Sequence, residues 1–257
     1  MDRSTKEAAM KRRLVGLGVA VMLAVGAAPG AVAGAGSTCP VPLPQGSEPV
    51  TLDPADFVAQ IDNPYWPMAV GTRWVYREFD SEAQQKVTVT VTTKTRDISG
   101  LTATVVHDVV SEKGHLVENT FDWYAQDTCG NIWYLGENTK EYENGEVVST
   151  AGSWEHGVNG AYAGIVMPAG PQVGMSYRQE YYAGEAEDTG QIFSLDEQVQ
   201  VPFGHFTDVV MTKDFTPLHP KILEYKFYAQ GIGPVMALGI SGGSDREELL
   251  RFTPGTG

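Results

Sequence analysis

The stretch "KVTVTVTTKT", residues 86 to 95, sets Val87, Val89 and Val91 against Thr88, Thr90 and Thr92. In an extended chain successive side chains point to opposite faces, so this alternation predicts a half-buried antiparallel strand, apolar on one side and hydroxyl-rich on the other. The same grammar recurs. "LTATVVHDVV" and "HLVENTFDWYAQ" follow at strand length across "SEKG", which suits a hairpin, and "MSYRQEYYA", "QIFSLDEQVQV", "HFTDVVMTKDF", "ILEYKFYA", "PVMALGIS" and "EELLRF" continue the series. Most of the breaks hold Gly or Pro, and no helical stretch of comparable length intervenes. The expected fold is all-β: a curved antiparallel sheet or open barrel, with a two-sheet β-sandwich as the alternative. One short N-terminal helix is expected where Asp53 can cap, Pro54 suits the first turn and "ADFVAQI" supplies an apolar face.

"DTCGNIWYLGENTKEYENGEVV", residues 127 to 148, reads in the same terms. Residues 127 to 131 form a turn, "IWYLGE" a strand, "NTKEYE" a second strand, Asn144-Gly145 a type I′ turn and "EVVST" the return. Trp133 and Leu135 fall on one face, Ile132 and Tyr134 on the other. Residues 152 to 177 depart from the pattern: their glycines and prolines argue against a regular strand, yet they carry Trp154, Tyr162, Ile165, Val166 and Met167. Such a segment is expected as a long loop, either a plug in the core or a lid at the mouth of the concave face.

The N-terminus has the layout of a secretory signal peptide: Lys11, Arg12 and Arg13, then "LVGLGVAVMLAVGAA", then small residues with Ala31 and Ala33 at an A-x-A site. The apolar run is shorter than a membrane span of about 20 residues, so no transmembrane segment is expected in the mature protein. The leader is assigned to residues 1–33, a Pro-rich extended arm to 34–52, and a single β domain to 53–257. The protein is thus expected to be exported, to the cell envelope or the exterior. Two cysteines in an exported chain suggest one disulfide, Cys39 to Cys129. Lipid anchoring at Cys39 fits less well, because Thr38 and Gly36 stand where a small and an aliphatic residue are wanted.

The formal charge is −14; the leader carries five Lys or Arg and two Asp or Glu, a net of +3, so the mature chain falls to −17. That acidity opposes binding to nucleic acid and anionic lipid headgroups, which rely on Lys and Arg.

"VPFGHFTDVVMTKDFTPLHPKILEYKFYAQGIGPV", residues 201 to 235, resembles the closing half of a broad, largely uncharacterised group of exported bacterial β-sheet, lipoprotein-like proteins. The matching residues are Pro202, Gly204, Asp208, Val209, Val210, Tyr228, Ala229, Gly231, Gly233 and Val235. "NPYWPMAVGTRWVY" and "GNIWYLGE" resemble the entry and the middle of the same group. The resemblance implies an envelope or extracellular location and a curved sheet, and brings no catalytic residue. Some distantly similar exported proteins hold lipid or another apolar ligand in a concave half-barrel, an analogy at the level of fold.

Chemistry is sparse. The five histidines show no zinc spacing, and no G-x-S-x-G elbow, phosphate loop or EF-hand calcium loop is present, so no metal, cofactor or catalytic residue is assigned. Carboxylates are the dense functional groups, among them Glu137, Glu155, Glu180, Glu185, Glu187 and Asp188, many beside aromatics. If Trp133, Glu137, Trp154, Glu155, Arg178 and Glu180 converge on the concave face, they make a polar-rimmed aromatic pocket. The expected function is non-catalytic binding of a small molecule, lipid or other apolar ligand. A carboxylate-dependent hydrolase, with two of Glu137, Glu155, Glu180, Glu187 and Asp188 in one cleft, is the alternative. A structural envelope role for the acidic surface is a third reading. The plainer assignment has Arg178 paired with Glu180 or a neighbour and the tryptophans filling the core.

Overall fold

The computed structural model describes residues 42–79 and 83–256. The leader, Cys39 and the start of the Pro-rich arm lie outside the described residues. Asp53 does cap a turn, accepting from Ala55 N at 2.9 Å, but the helix expected there is a single 3-10 turn, Pro54–Asp56. The chain then leaves as strand β1 (Phe57–Val58), which pairs with the end of a later strand at Gln126 and Asp127. Docking Phe57 against Trp133, with ring centroids 6.2 Å apart, outweighs the weak helical face of this segment.

A first antiparallel ladder follows: β2 (Arg73–Phe79), β3 (Gln84–Ile98), β4 (Leu101–Glu112), β5 (His115–Asp127) and β6 (Ile132–Glu143). Its hairpins turn at Ser99-Gly100 and Lys113-Gly114, and the next at Asn144-Gly145, each pair with both φ positive as a type I′ turn requires. "IWYLGE" and "NTKEYE" are one strand, not two. Gly136 lies inside it at φ 133, where a Cβ would meet Trp154 O at 2.3 Å. The glycine is a bulge that lets a neighbouring strand approach, and not a break.

The free edge of β6 is shared by β7 (Glu146–Ser149), β8 (Trp154–Glu155) and β9 (Tyr162–Met167). Residues 152 to 177 are therefore neither plug nor lid, since six of them build the barrel wall as β9. The glycines that argued against a strand have a packing role: a Cβ on Gly164 would lie 2.3 Å from Arg178 O, so only glycine lets the two segments cross. Next come β10 (Ser176–Arg178) and β11 (Glu180–Tyr181), then a second ladder of β12 (Thr189–Val201), β13 (Gly204–Phe215), β14 (Leu223–Ala229), β15 (Gly233–Ser241) and β16 (Arg246–Thr253).

All of these strands belong to one antiparallel sheet, so the sandwich alternative is set aside. β16 pairs with β2 and joins the ladders on one side. On the other side a single extended segment changes partner at Gln179: β10 bonds to β12, and β11 to β9. The result is a nearly closed barrel with one seam. Arg178 clasps that seam. It is 2% exposed, and its guanidinium donates to Gly46 O, Glu48 O and Ala163 O. Ile98, Leu101, Ile132, Leu135, Ile165 and Ile192, each at most 2% exposed, contribute about 1.5–3 kcal/mol apiece by leaving water.

Candidate functional site

Closing the sheet turns one face of every strand inward, and the inward residues follow an order. Along β2 they read Trp74, Tyr76, Glu78; along β5, Glu118, Asp122, Tyr124; along β14, Glu224, Lys226, Tyr228. β2 runs antiparallel to both of the others, being three antiparallel steps from each. Its reversed order therefore places the aromatic residues of all three strands at the same end of the barrel.

The lumen is accordingly graded. A main cavity of about 300 Å3 lies among Trp66, Trp74, Tyr76, Tyr124, Tyr134 and Tyr228. A second of about 220 Å3 lies among Glu78, Gln85, Glu118 and Glu224. Asp108, Lys226, Ala237 and Glu247 line both and form their junction. The main cavity is at the lower end of the roughly 300–1,000 Å3 range of small-ligand pockets.

Lys226 is the cation of this lining, with Nζ 3.0 Å from Asp214 and 3.2 Å from Glu224. Burial opposes its charge, but Glu224 and Asp214 outweigh burial and hold its pKa well above the usual lysine range. Burial pushes Glu224 well up in turn, with Lys226 pulling it back. Asp108 is raised well above the ordinary carboxyl range, first by burial and then by Asp122, Glu118, Glu247 and Glu78. Glu247 is raised to about 8 by burial and the facing Glu78, against Lys226. Asp188 is raised to about 6 by burial, with Lys226 and a hydrogen bond from Thr216 opposing. Glu247 is therefore a neutral carboxyl near pH 7, and burial opposes the charged form of Asp108, Asp188 and Glu224 as well.

The six residues expected to converge do so only in part. Glu180 lines the main cavity. Trp154 stands behind it, donating Nε1 to Glu180 Oε2 at 2.7 Å and meeting Tyr134 edge-on. Glu137 is the cross-strand partner of Asp122 and shares its inward face. Trp133 is on the opposite face of β6 from Tyr134, fully buried, with its indole donating to Asp127. Glu155 binds Arg96, which itself lies 4.2 Å over the Trp123 ring. Arg178 is the seam clasp and pairs with backbone carbonyls, so its expected pairing with Glu180 gives way to the arm and β9. Cys129 lies in the turn after β5, and its expected partner Cys39 is outside the described residues.

Asp108, Lys226, Glu247 and the tyrosines of the main cavity escaped the sequence reading. A signal for Tyr76, Lys226 and Tyr228 exists: W-x-Y-x-E in β2 mirrored by E-x-K-x-Y in β14, which becomes legible once the two strands are known to run antiparallel across one lumen.

No family model matches the sequence, and no curated protein matches it. Among solved structures the chain is similar to a candidate lipoprotein of Parabacteroides distasonis ATCC 8503, at 13% identity and a TM-score of 0.41 over 74% of this chain and 99% of that one. It is also similar to a candidate exported protein with a YmcC-like fold from Bacteroides fragilis NCTC 9343, at 14% identity and a TM-score of 0.43 with the same coverage.

Proposed function

We propose that this is an exported, non-catalytic binding protein that carries a small organic molecule in the lumen of its barrel. The observation that carries the reading is the main cavity of about 300 Å3 among six aromatic side chains, in a barrel wider than the roughly eight-stranded kind whose interior side chains just fill. The basic and apolar N-terminal segments support export, and with it the Cys39–Cys129 disulfide. Native mass spectrometry of the protein from its own host tests the reading. A small-molecule adduct that is lost on denaturation, and is absent from Ala237→Phe, which fills the junction, is the expected result. Absence of any adduct, or an adduct unaffected by Ala237→Phe, counts against the lumen. The denatured intact mass reads the cysteines too: a disulfide removes two hydrogens, while acylation adds hundreds of daltons.

A carboxylate-dependent hydrolase is the second reading. Glu180 and Asp188, two of its candidate acids, line the same cavity, and Asp188 is raised to about 6. Turnover in a glycoside and ester screen, abolished by Glu180→Gln or Asp188→Asn, would establish it. Binding is preferred because it requires only the cavity, whereas hydrolysis also requires the two carboxyls to hold a defined spacing about a scissile bond.

A further inference from the structure

The lumen carries more acid than its own cation answers. Eight Asp or Glu side chains line the two cavities against one lysine. Lys226 is already engaged with Asp214 and Glu224, and among the described residues no ion pair reaches Asp108 or Glu247. Three buried polar atoms of the lining also have no protein hydrogen-bond partner, Asp108 Oδ1, Gln85 Nε2 and Glu224 Oε2, the last of which has its ion pair with Lys226. Gln85 is 4% exposed and lines the second cavity. Folded proteins rarely leave such atoms unmatched. Asp108 Oδ1 is an acceptor on the wall of both cavities and can receive a hydrogen bond from a cationic N–H, whereas Gln85 Nε2 is a donor that only water or an acceptor group can answer. The same main cavity that Asp108 lines is walled by Trp66, Trp74, Tyr76, Tyr124, Tyr134 and Tyr228, and aromatic rings attract cations.

Resting on the reading of the lumen as a binding site, we infer that its ligand is an organic ammonium ion, with the charged head at the junction against Asp108 and Glu247 and the apolar body among Trp74, Tyr76 and Tyr228. A bare divalent cation would use the oxygens and leave the rings idle. An anion would meet carboxyls on every side. An acyl chain would seal the acids under hydrocarbon with nothing to answer them.

Binding of this kind moves protons. Glu247 is faced by Glu78 and Tyr76 of β2, Asp108 of β4, and Lys226 and Glu224 of β14. Asp188 is faced by Lys226, Asp214 and Thr216. With no ligand bound, Glu247 at about 8 holds its proton near pH 7, and burial with the neighbouring acids shifts Asp108 in the same direction. An entering ammonium ion favours the carboxylate form: the carboxyl O–H bond breaks, its proton leaves to solvent, and the carboxylate pairs with the unchanged R–NH3+ group. Affinity for the cation therefore rises with pH up to the region of Glu247's titration. A neutral ligand that accepts a hydrogen bond from a protonated carboxyl changes in the opposite sense.

Calorimetry with 2-phenylethylammonium, 2-phenylethanol and phenylacetate separates these cases on one scaffold. The ammonium compound is expected to bind about tenfold tighter than the alcohol near pH 8.5, with a smaller margin near pH 5.5. Its binding heat should vary with the ionisation enthalpy of the buffer, the mark of a released proton. Asp108→Asn and Glu247→Gln, near-isosteric and checked for fold by circular dichroism, should each collapse the preference while alcohol binding persists. Equal or tighter binding of the alcohol or the carboxylate overturns the charge assignment and leaves the lumen reading standing. Preference that survives both substitutions removes the head group from the junction. Binding of none of the three probes, or binding indifferent to Ala237→Phe, overturns both inferences.

Discussion

Asp127, at the end of β5, and Asp108, midway along β4, are both held away from bulk water, and the chain treats them oppositely. Asp127 is 0% exposed and saturated: Oδ1 accepts from Cys129 N and Asn131 N at 3.0 and 2.9 Å, while Oδ2 accepts from Asn131 Nδ2 and Trp133 Nε1 at 2.8 and 3.0 Å. Asp108 keeps an oxygen with no protein partner and is pushed up by burial and neighbouring acids. The first region is the one that looks like a binding motif in the sequence, with its cysteine, tryptophan and acids. It is a turn whose polar groups are all consumed internally. A buried acid becomes available to a ligand when the backbone leaves it unmatched, and local motif density says nothing about that.

The largest test of this contrast is substitution at the two aspartates. Asp127→Ala strands four donors and should cost about 3–5 kcal/mol, read as a lowered urea midpoint at constant slope. Asp108→Asn should cost under about 1 kcal/mol near pH 8, or stabilise, because it removes a carboxyl that resists ionisation there. Comparable losses at both sites would break the distinction.

A smaller effect should appear in the pH dependence of stability. Glu247 has a folded pKa of about 8 against an ordinary 4.5, so the folded state binds more protons than the unfolded one between those values. Its contribution is fully present below about 4.5 and is lost as pH rises through about 8; Asp188 adds the same trend between 3.8 and about 6. His156, pushed down by burial and then by Arg178, acts oppositely below its ordinary 6.5. The melting temperature should therefore fall, on the order of 5 °C between pH 5 and pH 8.5. Glu247→Gln should flatten the slope, and a slope unchanged by that substitution would show that the lumen acids do not set it.

The smallest effect is expected at Glu155. Its pairing with Arg96 is half in solvent, with side-chain exposures of 25% and 46%. Glu155→Gln should change stability by less than about 1 kcal/mol and leave ligand affinity where it was. A marked loss of affinity would return the site to the outer face.

Much of the fold was legible because its causes are local. The alternation in β3 and the Asn-Gly turn after β6 read correctly, and Asp53 capped where expected. The misreadings at β6 and β9 share one cause. The boundary expected after Glu137 and the loop expected over residues 152 to 177 both fall beside a strand glycine, Gly136 or Gly164, demanded by a neighbour that approaches within 2.3 Å of the place a Cβ would occupy. Nothing in the flanking residues announces that neighbour. The candidate site suffered in the same way. Trp133 and Glu137 are close in sequence but lie on different faces, and Arg178 is taken by carbonyls of an arm some 130 residues earlier.

What the sequence by itself determined is the antiparallel ladders and their turns, since side-chain alternation and positive-φ turn residues act over a few residues at a time. What only the tertiary structure decided is which face became an interior. Closure at Gln179 and pairing of β16 with β2 bring Glu78, Asp108, Lys226 and Glu247 around one space. A pocket and a shifted pKa depend on what stands opposite, and in a barrel the opposite wall comes from the far end of the chain.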